Sequence, residues 1–96
     1  MAVFAVHYTY NKDQAAQRDL YRAAHRGYLR ELLAEGSLLA AGAYVDDENP
    51  GALLIFQAAS PDAVVAQLTI DPFVANGLVS HADVREWAAG MGPWAS

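Results

Sequence analysis

The sequence predicts an α+β domain in which one four-stranded antiparallel sheet carries two helices on a single face. Three observations predict it. Ala2–Tyr10 is a charge-free run of Val, Phe, Tyr and Thr, as strands favour. Gln14–Glu35 is rich in Ala, Leu, Arg and Gln and broken only by Gly27, as a long helix requires. Two apolar runs, Leu38–Val45 and Ala52–Ala58, flank the polar turn Asp46-Asp47-Glu48-Asn49-Pro50-Gly51, which marks a hairpin. The 96 residues make one domain, residues 1–96, with an irregular tail from about residue 89 to 96.

Each element has its own punctuation. Asn11-Lys12-Asp13 ends the first strand with turn and capping chemistry, and Gly36 stands where a helix takes a left-handed residue after its last turn. Helical spacing puts Tyr21, Ala24, His25, Tyr28, Leu29, Leu32 and Leu33 in one arc, with Asp19, Ala23, Arg26 and Arg30 opposite. After the hairpin, Ser60-Pro61-Asp62 starts a second helix: Ser60 caps it, Pro61 fits its first position, and Val64, Val65 and Leu68 face inward. That helix ends near Ile70. Asp71-Pro72-Phe73 with Asn76-Gly77 forms one further capped turn, and Leu78–Trp87 alternates well enough for a last strand.

The order β-α-β-β-α-β folds as the ferredoxin-like arrangement, with both helices on one side of the sheet. Alternation sends Phe4, Val6, Tyr8 and Tyr10 to one face of the first strand and Val3, Ala5, His7 and Thr9 to the other. The uncovered face is apolar as well, and such patches mark interfaces. A homodimer packed sheet to sheet is therefore expected.

Composition removes several function classes. Eleven acidic residues against six basic ones give a net charge of -5, the wrong sign for a phosphate backbone, so no nucleic-acid partner is expected. The absence of Cys removes thiolate nucleophiles, disulfides and Cys-based metal sites. No apolar run is long enough to span a bilayer and no basic leader precedes one, so a cytoplasmic protein without membrane association is expected.

The remaining acid-base groups are His7, His25, His81 and the carboxylates, and His titrates closest to working pH. His25 sits in the apolar arc of the long helix, where it needs a polar partner; a backbone carbonyl would satisfy it as a plain core histidine. Asp71 is positioned to be that partner, although an Asp before Pro is also an ordinary helix cap. His7 can line a pocket with Tyr44 or Trp87 or simply pack, and His81 reads as a strand-edge residue. A metal site from His25, Asp71 and His7 lacks any short-spaced ligand motif, so no metal is expected. Arg18, Arg22 and Arg26 form a row at i, i+4 spacing, which reads either as a grip on a substrate carboxylate or as a solvated face paired with Asp19 or Glu31.

Ala24-His25-Arg26-Gly27-Tyr28-Leu29, Gly36-Ser37-Leu38-Leu39-Ala40-Ala41-Gly42, Pro50-Gly51 and Asp71-Pro72-Phe73 with Gly77 occur in this order. In these motifs the chain resembles the YciI (YCII-related) family of small ferredoxin-like proteins. The resemblance implies a dimeric α+β barrel and a His-Asp active site falling on His25 and Asp71. Some relatives resemble dehydrochlorinases of chlorinated hydroxyquinols, which implies a lyase- or isomerase-type proton transfer on a small cyclic or aromatic compound. His25 would then be the general base or acid and Asp71 its orienting group. No cofactor is called for. The expected substrate contacts, assigned by periodicity and not by the family motif, are His7, Tyr8, Tyr44, Phe56, Phe73 and Arg22. Two other readings stay open: a non-catalytic small-ligand-binding or accessory module, and a cofactor-independent monooxygenase-like barrel.

Overall fold

A computed structural model describes residues 1–95; Ser96, the end of the expected irregular tail, lies outside the described residues. The elements are β1 (Ala2–Thr9), α1 (Ala15–Glu35), β2 (Leu38–Ala43), β3 (Gly51–Ala58), α2 (Pro61–Leu68), α3 (Pro72–Ala75) and β4 (His81–Glu86). The strands form one antiparallel sheet in the order β2-β3-β1-β4, the ferredoxin-like order. β1 is central: Phe4 lies opposite Phe56 on β3 and Glu86 on β4, and Tyr8 lies opposite Ala52 and Ala82.

The core lies between the sheet and the helices. Phe4, Val6 and Tyr8 of β1, with Leu54 and Phe56 of β3, pack against Leu32 of α1 and Val64 and Leu68 of α2. Burying such a side chain contributes about 1.5–3 kcal/mol, so this cluster is the main stabilising mass of a small domain. Gly51 holds β3 close under the site: a Cβ there would fall 2.2 Å from the Tyr8 carbonyl oxygen, so a side chain would force the strands apart. Gly36 adopts φ 89° and donates its N–H to Leu33 O, closing α1 as expected.

The first helix and the last strand are shorter than the sequence pattern predicts. Lys12–Gln14 is a 3₁₀ turn, so α1 starts at Ala15. The last strand begins at His81, not Leu78, because Leu78 is drawn into the core and donates its N–H to Phe73 O. The inward face of α1 is also narrower than the predicted arc, with only its centre buried. Arg18, His25 and Leu32 are its buried residues, while Leu33 is 52% exposed and Tyr21 lies at the surface. No helix among the described residues is long and apolar enough to cross a membrane.

Candidate functional site

The site is built where three elements meet. α2 ends at Leu68, the chain turns through Thr69 and Ile70, and Asp71 caps α3 by accepting the Phe73 N–H at Oδ1, 3.0 Å away. That cap points the carboxyl group into the protein, where Asp71 is fully buried. The same Oδ1 meets Nδ1 of His25 on α1 at 2.7 Å, and Oδ2 accepts the Tyr8 hydroxyl of β1 at 2.8 Å. The capping and pairing readings of Asp71 are thus one geometry. Three donors converging on a buried carboxyl group is the arrangement an ionised carboxylate needs, and it assigns the His25 proton to Nδ1. Nε2 has no hydrogen-bond partner among the described residues and remains free for chemistry.

Aromatic packing fixes the imidazole plane. The His25 ring lies parallel to Phe73, with centroids 3.9 Å apart and planes 2° from parallel, and Phe73 meets Tyr10 edge to face at 5.8 Å. Arg18 closes the row. Its guanidinium stands 4.8 Å over the Tyr10 ring and donates to Asn11 O at 2.6 Å. Tyr28 ties α1 to α2 by donating to Gln67 O at 2.7 Å.

The tyrosines register the buried carboxylate. Burial, and then the charge of Asp71, push the Tyr8 hydroxyl far above its usual range. The same two causes raise Tyr10 to about 12, opposed by the charges of Arg18 and Arg22. Tyr28 is raised by burial and by Asp71.

His25 opens onto a cavity of about 240 Å³, room for a single small ring. Tyr10, Arg22, Arg26, Leu29 and Phe73 line it beside His25, and Ala41, Gly42, Ala43, Ala52 and Leu54 form its floor.

The expected contacts divide. Phe73 and Arg22 line this cavity with His25. Tyr8 is no wall: it sits behind Asp71 as a hydrogen-bond donor, because its ring is only 2% exposed and reaches the carboxylate from the core side. Phe56 is fully buried in the core and does not line the cavity. His7 and Tyr44 lie on the opposite face of the sheet, where His7 Nδ1 and the Tyr44 hydroxyl are 2.7 Å apart, because alternation along β1 turns His7 away from Tyr8. A metal site of His25, Asp71 and His7 is excluded by that separation, and the described residues hold no cluster of three potential ligands. His81 is exposed at the start of β4. Arg18 is only 6% exposed, so it belongs neither to a solvated row nor to a substrate grip, whereas Arg22 pairs with Asp19 as one reading of the row expected.

Sequence reasoning missed Tyr10 and Leu29 as lining residues and named Arg26 only as part of the arginine row. The signal for Arg26 was available in its i, i+4 spacing from Arg22, but the arc drawn through Tyr21 and Leu33 placed it on the far side.

The model of the YCII-related domain matches residues 2–88. Among solved structures, 5-chloro-2-hydroxyhydroquinone dehydrochlorinase (TftG) from Burkholderia phenoliruptrix AC1100, in complex with 2,5-dihydroxybenzoquinone, is 27% identical. Its alignment covers 98% of this chain and 99% of that one, with a TM-score of 0.78. SnoaB, a cofactor-independent oxygenase from Streptomyces nogalater, shares the fold at 12% identity and a TM-score of 0.52, over 97% of this chain and 96% of its own. No curated protein matches this chain.

Proposed function

The chain belongs to the YCII-related domain family, and on that premise we propose that it is a small enzyme performing His-Asp proton-transfer chemistry of the lyase or isomerase type on a small cyclic or aromatic compound. One observation carries the reading: His25 Nδ1 is bound to the buried Asp71 carboxylate at 2.7 Å while the ring opens onto a ring-sized cavity. Nε2 accepts or returns the substrate proton, and Asp71 holds the tautomer and stabilises the imidazolium. In a dehydrochlorination His25 takes a proton from the substrate's keto tautomer, the pair left behind forms the new double bond, and chloride departs with the C–Cl bonding pair, so HCl is lost and the step needs no oxidant. The likeness to a dehydrochlorinase supports that version.

Chloride release from chlorinated hydroxyhydroquinones tests it. We expect His25→Ala to lower kcat by roughly 10²–10⁴-fold in protein that stays folded by circular dichroism, although it melts at a lower temperature because the buried Asp71 loses a donor. A wild-type protein that binds these compounds without turning them over, with affinity indifferent to His25→Ala, would instead be a binding module.

We propose further that the open sheet face is covered by a second copy. His7, Tyr44, Leu53, Ile55, Trp87 and Trp94 gather there, around hollows that His25 does not line. Sedimentation at micromolar concentration should give twice the chain mass, and Leu53→Arg should give the monomer; a wild-type monomer sinks the assignment.

A further inference from the structure

We infer that the cavity beside His25 is selective for ring compounds carrying an anionic oxygen, a carboxylate or an ionised hydroxyl, which Arg22 and Arg26 hold. The inference rests on the reading of that cavity as the substrate site and adds the charge of its ligand.

The argument begins with a contrast of charge. The chain is acidic overall, at -5, yet none of the residues lining this cavity is a carboxylate. Four of the six basic residues, Arg18, Arg22, Arg26 and Arg30, lie on α1, the helix that presents His25. Arg22, His25, Arg26 and Leu29 follow one another at i, i+3, i+4 and i+7, so a single strip of α1 supplies two guanidiniums, the imidazole and an apolar side chain to one wall.

The two arginines are available in different ways. Arg22 is paired on its solvent side with Asp19, which sits one turn earlier and 69% exposed, an interaction that orients the side chain and is screened by water. Arg26 has no ion-pair partner among the described residues. Arg18, first in the row, takes no part because it is spent on Asn11 O and the Tyr10 ring. Asp71 offers the two guanidiniums no competing partner, since it lies behind the imidazole with its oxygens already accepting from His25, Tyr8 and Phe73.

The remaining walls are apolar, which favours ring burial and strengthens any charge pairing at the rim. A guanidinium matches a carboxylate or a pair of oxygens bidentately, so a neutral ring forfeits the interaction that an anionic one gains.

Calorimetry with 2,5-dihydroxybenzoate and its neutral counterpart 2,5-dihydroxybenzamide tests this on the wild-type protein. The carboxylate should bind at least about tenfold more tightly, as one charge-assisted pairing allows, and the preference should shrink as salt is raised. The Arg22→Gln/Arg26→Gln double variant, altered only at solvent-accessible positions, should keep its circular dichroism and bind the two probes with equal affinity. Equal wild-type affinities, a preference that survives in the double variant, or binding of neither probe would overturn the inference. Its failure is separable from that of the proton-transfer reading. A protein that prefers the anion, retains that preference in His25→Ala, and turns over no chlorinated or isomerisable ring compound keeps the anion site and loses the chemistry.

Discussion

Replacing Asp71 by Ala is expected to destabilise the protein by about 3–5 kcal/mol, the cost of breaking a buried charged pair from one side. The side chain is fully buried and receives three donors from three elements: His25 of α1, Tyr8 of β1 and the Phe73 N–H of α3. Its removal leaves the Tyr8 hydroxyl and His25 Nδ1 without an acceptor, uncaps α3, and frees the imidazole to rotate. Tyr8→Phe isolates one arm. It removes a hydroxyl to which no other partner is available and leaves the carboxylate one donor short, so a loss of about 1.5–3 kcal/mol is expected for a bond to a charged group. Urea denaturation with a constant slope reads both values. If Asp71→Ala costs no more than Tyr8→Phe, the carboxylate is not the shared anchor of the three elements.

How much of this was legible follows from what kind of information each feature needs. The fold was legible because its signals are local: the charge-free run of β1, the unbroken Ala-Leu-Arg stretch of α1, the Pro-Gly turn before β3 and the Ser60 cap of α2 each act within a few residues. His25 and Asp71 were legible because a polar residue in an apolar stripe demands a partner, and the turn after α2 returns beside α1. Tyr8 as the third member was not, since alternation tells which face a side chain takes and nothing about what its far end meets. Phe56 failed as a contact for the same reason: facing the helices is necessary for lining the cavity, but depth in the core excludes it. Arg18 was left off the buried face because hydrophobicity alone puts no arginine there, although helical spacing sets it beside His25 and Leu32 at the centre of the arc, and Leu33 at the arc's edge is exposed. A long Arg stem buries readily against Tyr10 while its charged end finds Asn11 O, and hydrophobic scoring does not see that option.

The last expected result concerns alkaline pH. Tyr8, Tyr10 and Tyr28 all ionise later in the folded protein than the ordinary value of 10.0, Tyr10 near 12, chiefly because burial and the Asp71 charge oppose a phenolate. Below pH 10 these hydroxyls are protonated whether the chain is folded or not, and they contribute no pH dependence. Above it the unfolded chain loses protons that the folded chain keeps, so the unfolded state gains stability with each further step in pH. One tyrosine held protonated across one pH unit costs about 1.4 kcal/mol, and Tyr8 and Tyr10 together cost roughly 3 kcal/mol per unit between pH 10 and 12, with Tyr28 adding in the same direction, a large share of a small domain's stability. The urea midpoint should therefore be flat from pH 7 to 9 and fall above 10, with the share of phenolate absorbance that Tyr8→Phe removes appearing together with unfolding and not before it, whatever the surface residues Tyr21 and Tyr44 do. Tyr8→Phe, though less stable at neutral pH, should show a shallower decline because the most strongly raised hydroxyl is gone. Full phenolate absorbance in a protein that is still folded would mean that the hydroxyl of Tyr8 reaches solvent, and with it that the Asp71 carboxylate is not sealed from water.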